Sequence, residues 1–462
     1  MKIIILGAGR VGESVAESLL SERNDITLID PDGARLRALE ERLDLRGVAG
    51  NGIEPGTLER AGAADADLLI SCATLDETNL AACKVAHATF NIPTTIARLR
   101  SPEFTDDHPL LGRDGFAVDH VIRPEESVVR YVERLVDYPE ALQVLEFSQG
   151  RAHLVVVRAA SGGALVQRRV SELETLIPTV KVQVVAVYRG DTEITAQGDP
   201  VIQPGDELFL LADRDAVRPA LVAVHNADEP VRRVMIAGGG KVGLRLARRL
   251  AGRCEVKVIE RDLRRCEVLA TELPSRVLVL GGDGTDEELL ADEGVRGVDM
   301  FLALSNDDED NILAAMLAKR MGARRVLALI NRRAYAELIE GGSIDIAVSP
   351  AQTVIGELLM HVRRGDVAAV HSLRRGAAEA LEGIARGDEK TSRLVGRTVE
   401  RLSLPPGVRL GAIVRGEDIG LEVVLPRAGT LIQEGDHLVF FIPDKRCVRE
   451  VERLFQVSAT FF

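Results

Sequence analysis

KIIILGAGRVGESVAESLL, residues 2–20, and RVMIAGGGKVGLRLARRL, residues 233–250, decide the fold, because each runs from an apolar strand through G-x-G-x-x-G into a helix pattern. The glycines are Gly7, Gly9 and Gly12 in the first copy and Gly238, Gly240 and Gly243 in the second. An acidic residue closes the next strand of each copy, Asp30 in LID and Glu260 in VIE. Matching positions keep a nearly constant separation: 231 from Gly7 to Gly238, 230 from Asp30 to Glu260, and 232 from Gly50 to Gly282 and from Asn79 to Asn311. ATLDETN (73–79) and SNDDEDN (305–311) fall at the same spacing. One glycine loop is a weak signal, but an offset this regular means two homologous units sharing one domain plan.

Within each unit, apolar runs alternate with amphipathic ones, the pattern of β-α-β units on a parallel sheet. The texture then changes to short strands, LQVLEF, HLVVVRA, VQVVAVYR and DELFLLA, separated by Gly, Asp and Pro turns. This smaller α+β module repeats too, since QPGDELFLLA around Gly205 and QEGDHLVFFIP around Gly435 differ by 230. The fold class expected is therefore α/β, with two Rossmann-like doubly wound parallel sheets, each followed by a small α+β module. The four units are expected at 1–125, 140–226, 232–352 and 372–457. His225–Pro230 reads as the linker between halves, and the Ala- and Glu-rich stretch from Arg375 to Glu389 reads as a helical connector.

A length of 462 residues accommodates several domains of ~100–200 residues, each with its own core. The net charge of −13 speaks against nucleic acid as a partner, because phosphate binding needs a basic surface. Five cysteines, Cys72, Cys83, Cys254, Cys266 and Cys447, are odd in number and lack C-x-x-C spacing, which favours a reducing cytoplasm over a disulfide framework or a zinc site. Met1 leads straight into a strand pattern, leaving no room for a signal peptide, and no stretch approaches the ~20 apolar residues of a membrane span. Any membrane role would work through a partner.

In a glycine loop of this kind the first glycine makes the tight turn, the second lets backbone approach a pyrophosphate and the third lets helix and strand pack closely. The helix N-terminus then offers free N–H groups and a partial positive charge. Asp30 and Glu260 stand where a carboxylate binds a ribose hydroxyl and repels a 2′-phosphate, which favours NAD or an adenosine nucleotide over NADP. Arg10 and Lys241 share one slot in the two loops, as cations against a polyphosphate or as solvated charges. Thr74 and Glu77 have capping-box spacing directly after the strand LLISCA, in a loop at the ligand-binding end of the sheet.

An enzyme transferring hydride would also need a general acid or base. The histidines, His87, His108, His120, His153, His225, His361, His371 and His437, form no repeated constellation. Nothing nominates a catalytic pair, although a duplicated NAD-dependent dehydrogenase and a nucleotide-binding scaffold remain as alternatives to the regulatory reading that a family resemblance implies.

GAGRVG with Asp30, ATLDETN, IARLRSPEF (96–104) and QVLEF (143–147) resemble the RCK or KTN regulatory domains of potassium conductance. IERDLRRCEVLA (259–270), SNDDEDNILAAMLAKRMGA (305–323), HSLRRG (371–376) and LPPGVRLGAIVRG (404–416) extend the resemblance to tandem domains over essentially the whole chain. The resemblance implies a cytoplasmic subunit, peripheral on the inner face of the membrane, that binds NAD(H) and ATP or ADP. It also implies control of a potassium transporter of the TrkH or TrkG kind and assembly into a dimer or tetramer. Carried over by position, the first site would use Gly7, Ala8, Gly9, Arg10, Val11, Asp30, Ala73, Thr74 and Arg98. The second would use Gly238, Gly239, Gly240, Lys241, Val242, Glu260, Ser305 and Asn306. Asn51 and Asp283 would approach the adenine side. Arg98 has no counterpart, since the 232 offset falls on Ile330, so the two sites are expected to differ in affinity or ligand.

Overall fold

The computed structural model describes residues 1–20, 24–178, 180–195, 198–225, 229–332, 334–336, 344–363, 366–416 and 420–457. Half of the expected linker His225–Pro230, residues 226–228, lies outside them. The first sheet is parallel, in the order β3-β2-β1-β4-β5-β6. Its strands are β1 Lys2–Leu6, β2 Asp25–Asp30, β3 Arg46–Ala49, β4 Leu68–Ser71, β5 Thr94–Arg98 and β6 His120–Ile122. The second parallel sheet repeats that order as β14-β13-β12-β15-β16-β17. Its strands are β12 Arg233–Ala237, β13 Glu255–Glu260, β14 Leu278–Gly281, β15 Met300–Ala303, β16 Arg325–Leu329 and β17 Ile346–Val348. The order reverses at β1 and β12, which opens a ligand crevice at the carboxyl ends of the strands.

Each small module is an antiparallel sheet. The first has β7 Ala141–Phe147, β8 Ala152–Arg158, β9 Val182–Arg189, β10 Thr192–Glu193 and β11 Glu207–Asp213, in the order β10-β9-β11-β8-β7. The second has β18 Val367–Leu373, β19 Ala378–Ile384, β20 Arg409–Arg415, β21 Glu422–Val424 and β22 His437–Ile442, in the order β18-β19-β22-β20-β21. The expected helical connector from Arg375 to Glu389 instead contains strand β19, Ala378–Ile384, flanked by turns. Ala and Glu favour helix in isolation, but β19 pairs on both sides, with β18 and β22, and the sheet overrides propensity. Glu379 and Glu382 are consequently buried, the first bonded to Arg363 at 2.6 Å and the second to the Ser148 hydroxyl at 2.7 Å. Strand β18 also draws residues before 372 into this module.

The halves exchange partners. The core that holds Val234, Ile236 and Leu246 of the second parallel unit is continuous with Val128 and Val132 of the helix Pro124–Asp137 and with Val155 and Leu210 of the first small sheet. Ile3, Ile5 and Val15 of the first unit share a core with Val354 and Leu358 of the helix Pro350–Val362 and with Leu381 and Phe440 of the second small sheet. Each of these crossover helices therefore leaves its own parallel unit to pack on the other. The two small sheets stack face to face through Phe147, Leu154, Phe209, Leu211, Val414, Val439 and Phe441, with the Phe209 and Phe441 rings 5.6 Å apart.

Candidate functional site

Both glycine loops open on one cleft of about 1590 Å³ between the two parallel units. Gly7 and Gly238 have φ of 99° and 110°, the left-handed turn that only glycine adopts without strain. A Cβ on Gly12 would stand 1.8 Å from the Gly7 carbonyl oxygen, and one on Gly243 would stand 2.0 Å from that of Gly238. These glycines let the helices Arg10–Leu20 and Lys241–Leu250 start against their strands. A Cβ on Gly9 or Gly240 would meet no protein atom within 4 Å, although both residues line the cleft. That space is where a ligand can approach the backbone.

The carboxylates at the strand ends brace the loops. Asp30 accepts from the Ala8 N–H at 2.7 Å and from the Asp32 N–H at 2.9 Å; Glu260 accepts from Gly239 at 2.8 Å and from Asp262 at 2.9 Å. Ala8 and Gly239 do not line the cleft; their N–H groups are turned to the braces. Every other expected site residue does: Gly7, Gly9, Arg10, Val11, Asp30, Asn51, Ala73, Thr74 and Arg98 in the first half, and Gly238, Gly240, Lys241, Val242, Glu260, Asp283, Ser305 and Asn306 in the second. Each carboxylate oxygen keeps a free lone pair after one backbone bond, so ribose hydroxyls can still donate to it.

Thr74 is not a helix cap. The helix Asp76–Phe90 begins after Leu75, without a side-chain cap, and Asp76 instead reaches across to the N–H groups of Arg100 and Ser101 at 2.9 Å. Asp308 makes the same bonds to Asn331 and Arg332, at 2.9 and 2.8 Å. These pairs fix the equivalence of the two halves here at an offset of 231, so Leu329, not Ile330, stands where Arg98 does. The lack of an arginine there holds either way. Arg332 does not substitute, since it bonds to Glu309 and to the Tyr335 hydroxyl, both at 2.8 Å.

Sequence reasoning missed Glu125 and Arg100. Arg98 Nη2 donates to Glu125 Oε1 at 3.0 Å, and Arg100 Nε lies 3.9 Å from the same oxygen. The Nε atoms of both arginines are buried without a hydrogen-bond acceptor among the described residues. Unfilled cationic donors beside a glycine loop suit a phosphate or another anion. In the second half the corresponding residues are Leu329, Asn331 and Ala351, and the rim carries instead Arg261, bonded to Asp283 at 2.6 Å and to Asp310 at 3.2 Å. The Thr285 N–H and Arg261 hold the Asp283 carboxyl below its ordinary range. Burial pushes the Cys72 thiol, which also lines the cleft, up to about 12, so it stays protonated. None of the eight histidines lines the cleft.

The family models agree with this architecture. The TrkA-N domain model matches residues 3–124 and 234–350, and the TrkA-C domain model matches 154–220 and 389–456. The Trk system potassium uptake protein TrkA of Vibrio alginolyticus and that of Halomonas elongata are each 48% identical over 462 residues, covering both chains fully. That of Haemophilus influenzae is 45% identical with the same coverage. These relatives are potassium uptake proteins. Among solved structures, the GsuK RCK domain superposes with a TM-score of 0.59 at 16% identity, covering 98% of this chain and 94% of the other. The GsuK channel bound to NAD gives 0.60 at 18%, covering 98% and 78%. At such identities these two structures attest to the shared fold. With both domain models matched twice, in tandem and in order, the chain belongs to the TrkA family of Trk system potassium uptake proteins.

Proposed function

We propose that this chain is a nucleotide-binding regulatory subunit of a potassium uptake system, taking NAD(H) and ATP or ADP at its glycine loops and gating a membrane transporter of the TrkH or TrkG kind. The observation that carries the reading is the single cleft onto which two braced loops open between units that have exchanged crossover helices. A nucleotide there touches both halves and therefore acts on their separation. Arg10 and Lys241, exposed at the two helix starts, complement phosphate charge; Asp30 and Glu260 accept from ribose; Asn51 and Asp283 flank the adenine side; Ala73, Thr74, Ser305 and Asn306 close the opposite wall. Arg98 serves only the first site.

Regulation then follows from differential affinity: a ligand shifts the balance between two arrangements of the units only as far as it binds one better than the other. The chain would work as a dimer or tetramer on the cytoplasmic face of the membrane, and no described helix is long and apolar enough to cross one. The test is potassium flux through reconstituted transporter, with the chain added alone and with NADH, NAD, ATP or ADP. Nucleotide-dependent flux is expected. Binding that leaves flux unchanged overturns the gating role, and turnover of NADH with a substrate would restore the dehydrogenase reading.

A further inference from the structure

The two crossover contacts repeat one plan but differ in charge. Along the seam between the helix Pro124–Asp137 and the helix Lys241–Leu250, Glu126 pairs with Arg249 and lies 3.7 Å from Arg245. Glu133 accepts from Arg249 at 2.9 Å and from Arg253 at 3.3 Å, and Asp137 pairs with Arg253. Every acid of this ladder comes from the crossover helix. Every base comes from the loop helix or the turn just after it.

Matching Gly12 with Gly243 and Pro124 with Pro350 gives the equivalent positions in the other contact. Ser14 and Ser18 replace Arg245 and Arg249, while Gln352 and Leu359 replace Glu126 and Glu133. At the third rung Arg363 and Glu22 stand for Asp137 and Arg253; Arg363 is bonded to Glu379 at 2.6 Å, and residue 22 lies outside the described residues. Leu359 is fully buried in an apolar core with Val15, Leu19 and Leu358. No ion pair joins that second pair of helices among the described residues. Apolar contacts hold both seams, but among the described residues only the first adds a charged rim, and its side chains are a quarter to two-fifths exposed, open to mobile ions.

We propose that the seam between Pro124–Asp137 and Lys241–Leu250 is a salt-responsive hinge, which monovalent salt loosens while the other crossover contact stays closed. Screening shortens the reach of a charge from ~10 Å at 0.1 M to ~3 Å at 1 M, and networks of partly exposed pairs respond over that range. The hinge helix carries Lys241 and Val242 into the cleft, and Glu126 follows Glu125, the partner of Arg98. Bulk ionic strength therefore acts on the geometry of the cleft. The device depends on ionic strength and not on cation identity, and it holds whatever the chain regulates.

Hydrogen–deuterium exchange of the full chain tests it, at about 0.05 M and about 1 M KCl, with choline chloride as the second electrolyte. Amides of 124–137 and 241–250 are expected to exchange about fivefold faster at high concentration of either salt, while 10–20 and 350–362 change by less than about twofold. The double variant Arg249→Gln with Glu133→Gln should exchange fast in that seam already at low salt, with the response flattened. An equal response at both seams, no response, a response to KCl alone, or an undiminished response in the double variant overturns the proposal.

Discussion

Asn79 Nδ2 donates to the Arg98 carbonyl at 2.8 Å, so the side chain that closes the loop after β4 also fixes the backbone of the arginine that faces the cleft. Its Oδ1 accepts from the Ser71 hydroxyl and the Ala73 N–H, both at 2.8 Å, and the residue is fully buried. Asn311 repeats the arrangement with Ser305 and with the Leu329 carbonyl, each at 2.8 Å.

Replacing Asn79 by Ala removes these bonds from the Ser71 hydroxyl, the Ala73 N–H and the Arg98 carbonyl at a buried site, which costs about 2–3 kcal/mol. Asn79→Ala is expected to lower the urea midpoint of the unit that unfolds first and to weaken nucleotide binding at the first loop. Asn311→Ala should do the same at the second. Calorimetric titration and denaturation of both variants check this, and a variant with wild-type stability would show that the lock is dispensable.

The middle and last glycines of each loop make opposite demands. Gly12→Ala and Gly243→Ala drive a methyl into backbone at 1.8 and 2.0 Å, so each should destabilise its unit by about 3 kcal/mol or more. Gly9→Ala and Gly240→Ala meet no protein atom and should leave the unfolding free energy within about 1 kcal/mol of the parent while reducing nucleotide affinity roughly tenfold. Unchanged affinity in Gly9→Ala would mean that ligand does not approach that backbone.

The glycine loops, the strand-end acids and the order of units were legible because their spacing is local and occurs twice. Exchange of crossover helices was not, since nothing in EESVVRYVERLV says which sheet its valines cover. Glu125 and Arg100 escaped notice because their significance is a contact between the end of β5 and the start of a helix that lies 26 residues beyond Arg98. The turn words around Gly205 and Gly435 hid a further repeat: buried Asp206 and Asp436 each take a bidentate arginine, Arg189 at 2.8 Å and Arg415 at 2.7 and 2.8 Å. Strand β19 misled because Ala and Glu carry a helical preference that two flanking strands cancel.

His120 of β6 stacks on His361 of the second crossover helix, with ring centroids 3.6 Å apart. Burial, and then the neighbouring His120, lower the His361 pKa from the ordinary 6.5 to about 4, and burial lowers that of His120 as well. The folded chain therefore stays neutral at His361 while the unfolded chain takes up a proton below 6.5. Stability from this contact is full above pH 6.5 and is lost as pH falls toward 4. Thermal midpoints measured across that window should fall more steeply in the parent than in His361→Gln, and parallel curves would exclude the pair as the cause.

The asymmetry of the two sites gives the last expectation. Glu125 pairs with Arg98 and offsets part of the charge of Arg98 and Arg100 in the first site, so an arriving phosphate has to compete with a carboxylate for the same guanidinium. Glu125→Ala removes the competitor and should tighten ADP or ATP binding at the first loop, whereas Arg98→Leu should weaken it about tenfold, the loss of one charge-assisted hydrogen bond. Combining Arg98→Leu with Glu125→Ala gives the first site the Leu and Ala that the second already has at Leu329 and Ala351. Titration of that double variant should bring the two sites toward one affinity for polyphosphate while leaving the second unchanged. Two affinities as far apart as in the parent would place the difference elsewhere, at Arg100, which answers to Asn331, or at Arg261 and Asp283 on the second rim.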